Sequence, residues 1–109
     1  MSYNVFTIPP FDRQLKRLVK KFPSLKAEYA KLVEELEINP LRGDALANSC
    51  YKIRVAIESK GKGKRGGARV ITHVQITNTA VYLLSIYDKS EQDDISEKTI
   101  LNLIQQEPL

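Results

Sequence analysis

Seven lysine and arginine residues are concentrated in the 19 residues from Tyr51 to Arg69, which contain a single acidic residue, Glu58. Cations grouped this densely can bind phosphates without a metal ion or a deep pocket. Two of them, Lys52 and Arg54, alternate with apolar residues, as Arg69 does at the start of the next apolar stretch. Such alternation predicts that all three lie on one face of a β-sheet. Phosphate binding is therefore the chemistry that this segment indicates.

Between the two alternating stretches, residues 61–66 match the pattern G-x-G-x-x-G. A dinucleotide site is excluded because that pattern must open a helix, whereas residues 68–76 alternate like a strand. A Walker A site is excluded because no Lys-Ser/Thr pair follows Gly66. Two interpretations stay open, a flexible hairpin loop and a mobile phosphate clamp. In the second, the candidate RNA-binding residues are Lys60, Lys62, Lys64 and Arg65.

Three further side chains are candidates for the same site. His73 is the only histidine, and a lone histidine is more often structural than catalytic. Its predicted cationic neighbours would favour neutral imidazole, so it is also a possible general base. Tyr87 ends an apolar strand and could belong to the core or to the site. Lys89 follows that strand and could complete the cluster. Cys50 has no evident base beside it and is expected to be inert.

Composition limits the possible classes of protein. A chain of 109 residues predicts one domain, spanning residues 1–109, with one hydrophobic core. One cysteine excludes an internal disulfide framework, and one cysteine with one histidine is too few for a Cys/His zinc site, so no cofactor is expected. No apolar run approaches the roughly 18 residues of a membrane helix, and no signal peptide is evident. We therefore expect a cytoplasmic protein without a membrane partner.

Charge is separated along the chain. The net charge is +4, but residues 52–69 carry seven bases and one acid, whereas residues 88–107 carry two bases and six acids. The acidic stretch could mask the basic face within the same chain. Alternatively, its apolar residues, including Ile100 and Ile104, belong to a helix that packs on the core. We favour the packing role because the apolar stripe explains it more simply.

Hydrophobic periodicity predicts the element order β-α-α-β-β-β-α. The predicted elements are a strand at 3–8, a helix from Pro9–Phe11 to Phe22, a helix from Ser24 to Asn39, strands at 51–58, 68–76 and 80–87, and a helix that begins between Asp93 and Ser96. Residues 41–49 are predicted to form a connector. The class is α+β, with an antiparallel twisted sheet and the helical hairpin on one face.

One face of the predicted sheet is apolar and the other is cationic. Ile53, Val55 and Val74 should be buried beneath the helices. The opposite face should carry the basic side chains together with the histidine, namely Lys52, Arg54, Arg69 and His73. Strand alternation alone therefore brings the cations together.

These segments resemble the RelE/ParE superfamily of toxins, and in particular its HigB-like RelE branch. The strand beginning at residue 51 resembles the second strand of that family. Residues 60–71 resemble the Gly/Lys loop and arginine-bearing strand of the branch, and residues 81–89, which end in Tyr-Asp-Lys, resemble its last strand. The resemblance covers essentially the whole chain and implies a RelE-like fold.

The resemblance implies a type II toxin that cleaves mRNA on the ribosome without a metal ion. In such enzymes the 2′-OH of the RNA attacks the adjacent phosphodiester. By position, Lys52 and Arg54 would meet the scissile phosphate or activate the 2′-OH, and Arg69 would stabilise the charge of the transition state. Tyr87 and Lys89 would stack on the RNA, position it or donate a proton.

The implied partners are mRNA on the ribosome and a cognate antitoxin, with the toxin as a monomer within a hetero-oligomeric complex. The chain also departs from the pattern of the family. Arg54 falls where some members have lysine, and Lys89 falls where others have arginine. Ile95 falls where some members carry a C-terminal catalytic tyrosine. Two alternatives stay open. One is a ParE-like toxin that inhibits gyrase, against which the basic face argues. The other is an inert relative that serves only in antitoxin or DNA-complex binding.

Overall fold

The computed structural model describes residues 2–61, 63 and 65–108. The helices are α1 (Pro9–Lys21), α2 (Leu25–Ile38) and α3 (Glu97–Ile104). The strands are β1 (Asn4–Thr7), β2 (Asp44–Ala45), β3 (Cys50–Val55), β4 (Ala68–Gln75) and β5 (Ala80–Asp88). The predicted α+β fold is confirmed, with one short strand added, β2.

The five strands form one mixed sheet in the order β1-β5-β4-β3-β2. The predicted meander is confirmed, because β3 pairs antiparallel with β4, and β4 with β5. The first strand pairs parallel with β5, which makes the sheet mixed rather than wholly antiparallel. The two residues of β2 lie in the segment predicted to be a connector and pair with β3 at the sheet edge.

Local sequence explains the helix boundaries. Two prolines occupy the first turn of α1, where the missing N–H groups cost nothing. Ser96 is the N-cap of α3, because its hydroxyl accepts a hydrogen bond of 3.1 Å from the amide of Thr99. The first helix packs against β5 and the second against β1. Among the described residues, no helix has the length and apolar character needed to cross a membrane.

The core contains the predicted strand residues. Ile53 and Val74 are buried, and Val55 is half-buried. Ile76, the last residue of the strand predicted at 68–76, is 67% exposed. The strand ends at Gln75 and the chain turns immediately, so Ile76 has left the sheet before its side chain can pack.

The third helix and the residues after it lie against the sheet face that carries His73. Ile100 is 5% exposed and belongs to the core cluster, and Ile104 is half-buried against it. The packing role that we favoured for this helix is therefore confirmed. Near the chain end, the Glu107 carboxylate contacts His73 and Gln75. One part of the predicted cationic face is thus covered by α3.

Candidate active site

Three of the predicted site residues form a single row across the sheet. Arg54 of β3 lies opposite Arg69 of β4, and Arg69 lies opposite Tyr87 of β5. Directly opposed residues project from the same face with neighbouring Cβ atoms. The strand register therefore brings together two guanidinium groups and a phenol from segments far apart in sequence.

A cleft of about 500 Å³ lies beside this row. Among the described residues, its lining is wholly basic and consists of Arg54, Arg65, Arg69 and Lys89. Arg69 is only 6% exposed, and its guanidinium donates hydrogen bonds to the carbonyl oxygens of Ala68 (3.1 Å) and Arg65 (3.2 Å). These bonds fix the direction of the guanidinium. Such a cleft can take an anion, since nearby positive charges gain from a shared counter-charge.

Lys52 lies beside this cleft and does not line it. Its strand position is two residues before Arg54, so the two side chains lie on the same face of β3. Its ammonium is 3.6 Å from a carboxylate oxygen of Asp94. The prediction that Lys52, Arg54 and Arg69 share one face is therefore confirmed.

Tyr87 is almost completely buried, at 3% exposure. Its hydroxyl is buried, and no other described residue provides a hydrogen-bond partner for it. Burial, followed by the nearby charge of Asp94, raises the pKa of the phenol above its ordinary value, although Arg69 acts in the opposite direction. The phenol therefore stays protonated at neutral pH and has an unused O–H group to donate.

The cations of the site are paired with an acidic segment, which we define as residues 90–96. Lys89 contacts the carboxylate of Asp93 and donates a 2.9 Å hydrogen bond to its carbonyl oxygen. The amide of Ile95 and the charge of Lys52 hold the pKa of Asp94 below its ordinary value. Asp94 is therefore ionised at neutral pH, and the carboxylates of Asp93 and Asp94 pair with cations that an incoming anion would otherwise meet.

The structure separates His73 from the cleft. Four residues along β4 separate it from Arg69, which corresponds to about 13 Å. Its Nδ1 atom lies 2.6 Å from the carboxylate of Glu107. His73 shares the face of Arg69, but its imidazole is paired with Glu107 near the end of the chain. The structure therefore does not support its predicted role as a base.

The loop residues predicted to clamp a phosphate, as far as the structure describes them, lie in different positions. Arg65 lines the cleft. Lys60 is instead paired with the buried carboxylate of Asp88, and its side chain is only 9% exposed. Lys62 and Lys64 lie outside the described residues. Of the two loop cations that the structure describes, Lys60 and Arg65, it brings Arg65 to the site.

Cys50 and the acidic side chains show no sign of metal or thiol chemistry among the residues described. Burial, and then the charge of Glu107, raises the pKa of Cys50 to about 11, so the thiol stays protonated. No group of three or more His, Cys, Asp or Glu side chains is placed to hold a metal ion in residues 2–61, 63 and 65–108.

Sequence patterns did not identify the particular acids that meet the site cations. Asp93 and Asp94 lie in a segment without periodicity, so nothing local predicts where they project. The one available signal was the separation of charge between residues 52–69 and 88–107. Opposite charge suggested contact between the two segments, and the pairing of Lys52 with Asp94 bears this out.

Comparison with known proteins places this arrangement in a family. The family model described as the RelE toxin of the RelE/RelB toxin–antitoxin system matches residues 11–106. The fold is similar to a mutant RelE toxin from Escherichia coli in the free state, with 18% identity, a TM-score of 0.60 and coverage of 96% of this chain and 97% of the other. It is also similar to a chain of the RelBE2 toxin–antitoxin complex from Mycobacterium tuberculosis, with 22% identity, a TM-score of 0.62 and coverage of 81% and 99%. With a family model that spans most of its length and a fold that agrees, the chain belongs to the RelE toxin family.

Proposed function

We propose that this chain is the toxin of a type II toxin–antitoxin module and that it cleaves mRNA on the ribosome, in the cytoplasm. Family membership supports the toxin role. The observation that carries the chemical part is the cleft lined by four cations beside the buried phenol of Tyr87. A phosphodiester in that cleft would meet positive charge, and the proton donor would be the Tyr87 phenol opposite Arg69, once binding of the RNA uncovers its hydroxyl.

The proposed reaction is a transesterification within the RNA. The 2′-oxygen attacks the adjacent phosphorus, the bond from phosphorus to the 5′-oxygen breaks, and a 2′,3′-cyclic phosphate and a 5′-OH are formed. One proton leaves the 2′-OH and one proton is delivered to the 5′-oxygen. The protein must therefore supply a base, an acid and stabilisation of the extra phosphate charge.

The side chains suit these tasks to different degrees. Arg69 is held rigidly at the cleft and suits stabilisation of the pentavalent phosphate. Arg54, Arg65 and Lys89 would bind the phosphate oxygens. Tyr87, with its protonated and unused hydroxyl, suits proton donation to the 5′-oxygen.

The reaction also needs a base for the proton of the 2′-OH. An arginine stays protonated and makes a poor base, which excludes Arg54. Lys52 lies on the same face beside the cleft, and it would be free to meet the 2′-OH once the RNA displaces Asp94. We therefore assign activation of the 2′-OH to Lys52.

The proposed partner outside the ribosome is a cognate antitoxin. Two of the similar solved structures are RelBE complexes of toxin with antitoxin. A segment of acidic or apolar character would suit the basic cleft of this chain, since opposite charge speeds association. The toxin would then be one subunit of a hetero-oligomer.

The chemical ends of the products test the proposed reaction. Purified ribosomes carrying a defined mRNA would be mixed with the protein at the Mg²⁺ concentration that the ribosome requires. We expect cleavage with a 2′,3′-cyclic phosphate on the upstream fragment and a 5′-OH on the downstream fragment. Fragments with 5′-phosphates and 3′-OH ends would contradict the proposal.

A further inference from the structure

A buried ion pair lies directly behind the proposed site and has no part in the chemistry described above. The ammonium of Lys60 contacts the carboxylate of Asp88, and their side chains are 9% and 1% exposed. Lys60 also donates a 3.0 Å hydrogen bond to the hydroxyl of Ser90 and lies 5.6 Å from the ring centre of Phe22. A lysine this buried and this well partnered is poorly placed to bind RNA directly.

The described residues offer no hydrogen-bond partner to the buried Oδ2 atom of Asp88, so its carboxylate is held through Oδ1. It accepts hydrogen bonds from the amide of Ser90 (3.0 Å) and from its hydroxyl (2.9 Å), in addition to the contact with Lys60. Burial alone would raise the pKa of Asp88, but these donors outweigh burial and hold it below its ordinary value. The aspartate is thus ionised and fixed in one orientation.

The pair joins two segments that carry site residues. Lys60 ends the single 3₁₀ turn that leads into the Gly/Lys loop, on which Arg65 lies. Asp88 is the last residue of β5, between Tyr87 and Lys89. The two segments otherwise meet through the backbone, where the amide of Lys89 donates a 3.0 Å hydrogen bond to the carbonyl oxygen of Gly67.

We propose that Lys60 and Asp88 are positioning residues, whose ion pair sets the distance between the Arg65 side and the Tyr87–Lys89 side of the cleft. The inference rests on the proposed function. A buried ion pair is weak support for stability, and a role in specifying geometry is a recognised alternative. Rate is sensitive to such geometry, because small displacements of charged groups weaken transition-state contacts more than binding.

The test removes both charges together, so that no charge is left buried alone. In Lys60→Met/Asp88→Asn, we expect the fold to persist and kcat for mRNA cleavage to fall by about 10- to 100-fold. KM should stay within about threefold of wild type, because the cations that bind RNA remain. Lys60→Arg, which keeps the charge, should retain most of kcat.

A matched control removes a different ion pair that also reaches the segment after β5. Arg17→Met/Glu91→Gln breaks an exposed pair of 3.2 Å between α1 and the acidic segment, and kcat should be unchanged.

If Lys60→Met/Asp88→Asn does not fold, the milder Ser90→Ala removes one partner of both charges and should still lower kcat by about two- to fivefold. A folded variant with normal kcat would overturn the inference, as would a raised KM with unchanged kcat, which would make Lys60 an RNA-binding residue.

Hydrogen exchange separates this inference from the proposed function. The amide of Lys89 should exchange faster in Lys60→Met/Asp88→Asn, while core amides such as that of Val70 keep their protection. If the wild-type protein does not cleave mRNA, the proposed function fails, yet the exchange result still decides whether the pair holds the two segments together. Unchanged exchange at Lys89 would overturn the inference.

Discussion

Arg69 combines burial with a fixed direction, which separates it from the more exposed cations around it. Its guanidinium is held by two carbonyl oxygens and still lines the cleft. A charge that needs no reorganisation stabilises a transition state more effectively than a mobile one. Among the site cations, Arg69 should therefore matter most for rate.

Arg69→Ala should lower kcat for mRNA cleavage by about 100- to 1000-fold, the usual loss for one fixed charge-stabilising donor. Single-turnover cleavage on ribosomes measures the effect, and circular dichroism verifies the fold. Arg13→Ala, at an exposed arginine of α1, is the matched control and should be neutral. If Arg69→Ala folds normally and stays fully toxic, the site is misplaced.

Tyr87 shows a conflict between stability and function. Its buried hydroxyl has no partner among the described residues, and such a group costs about 1–3 kcal/mol. Tyr87→Phe should therefore leave the free energy of unfolding unchanged or raise it, while cleavage becomes slower through loss of the proton donor. Urea denaturation and single-turnover kinetics on the same preparation measure both. A variant that is markedly less stable, or equally fast, would count against this role.

At the residue scale, alternation predicted which face a side chain occupies but not how far along the strand the site lies. Lys52, Arg54 and Arg69 were found because period two fixes their face. His73 shares that face, but it lies beyond the cleft, under Glu107. Lys60 was misjudged because its partner, Asp88, is 28 residues away in sequence.

Carboxylates of the acidic segment pair with two cations of the site, Lys52 and Lys89. Asp94→Asn should raise affinity for single-stranded RNA several-fold at low salt, because Lys52 loses its competing carboxylate. Fluorescence anisotropy with a short RNA measures this. Glu34→Gln, at an exposed position of α2, changes the net charge equally and should have little effect. Equal affinities for both variants would show that net charge alone matters.

The third helix packs on the core and also covers part of the cationic face. Ile100→Ala should lower the free energy of unfolding by about 2–4 kcal/mol, as usual for a buried isoleucine. Leu101→Ala, at an exposed position of the same helix, should cost much less. Thermal denaturation compares the two. A truncation after Asp94 that stays folded and binds RNA more tightly would show that the helix is mainly a mask.

At the element scale, long periodic segments were predictable and short ones were not. Both N-terminal helices and the three-strand meander follow from repeating apolar positions. The strand β2 has two residues, too few to show any period. The parallel pairing of β1 with β5 depends on a contact between chain segments about 75 residues apart, which no local pattern encodes.

Over the whole molecule, the basic and acidic segments, which are separate in the sequence, contact each other in the fold. Residues 52–69 contribute Arg54, Arg65 and Arg69 to the cleft, which Lys89 also lines. Residues 88–107 contribute the carboxylates that meet Lys52, Lys60, His73 and Lys89. The fold thus keeps a basic site partly neutralised in the absence of RNA. Competition from a polyanion would be needed to expose it fully.

The most direct test of the central claim compares mRNA and DNA damage in the same cells. After induction of the protein, primer extension would be performed on a translated mRNA and on a version of it without a start codon, and gyrase-linked DNA breaks would be measured in parallel. We predict growth arrest with new 5′ ends in the translated mRNA alone and intact DNA. Gyrase-linked breaks with intact mRNA would contradict the account and favour a ParE-like toxin.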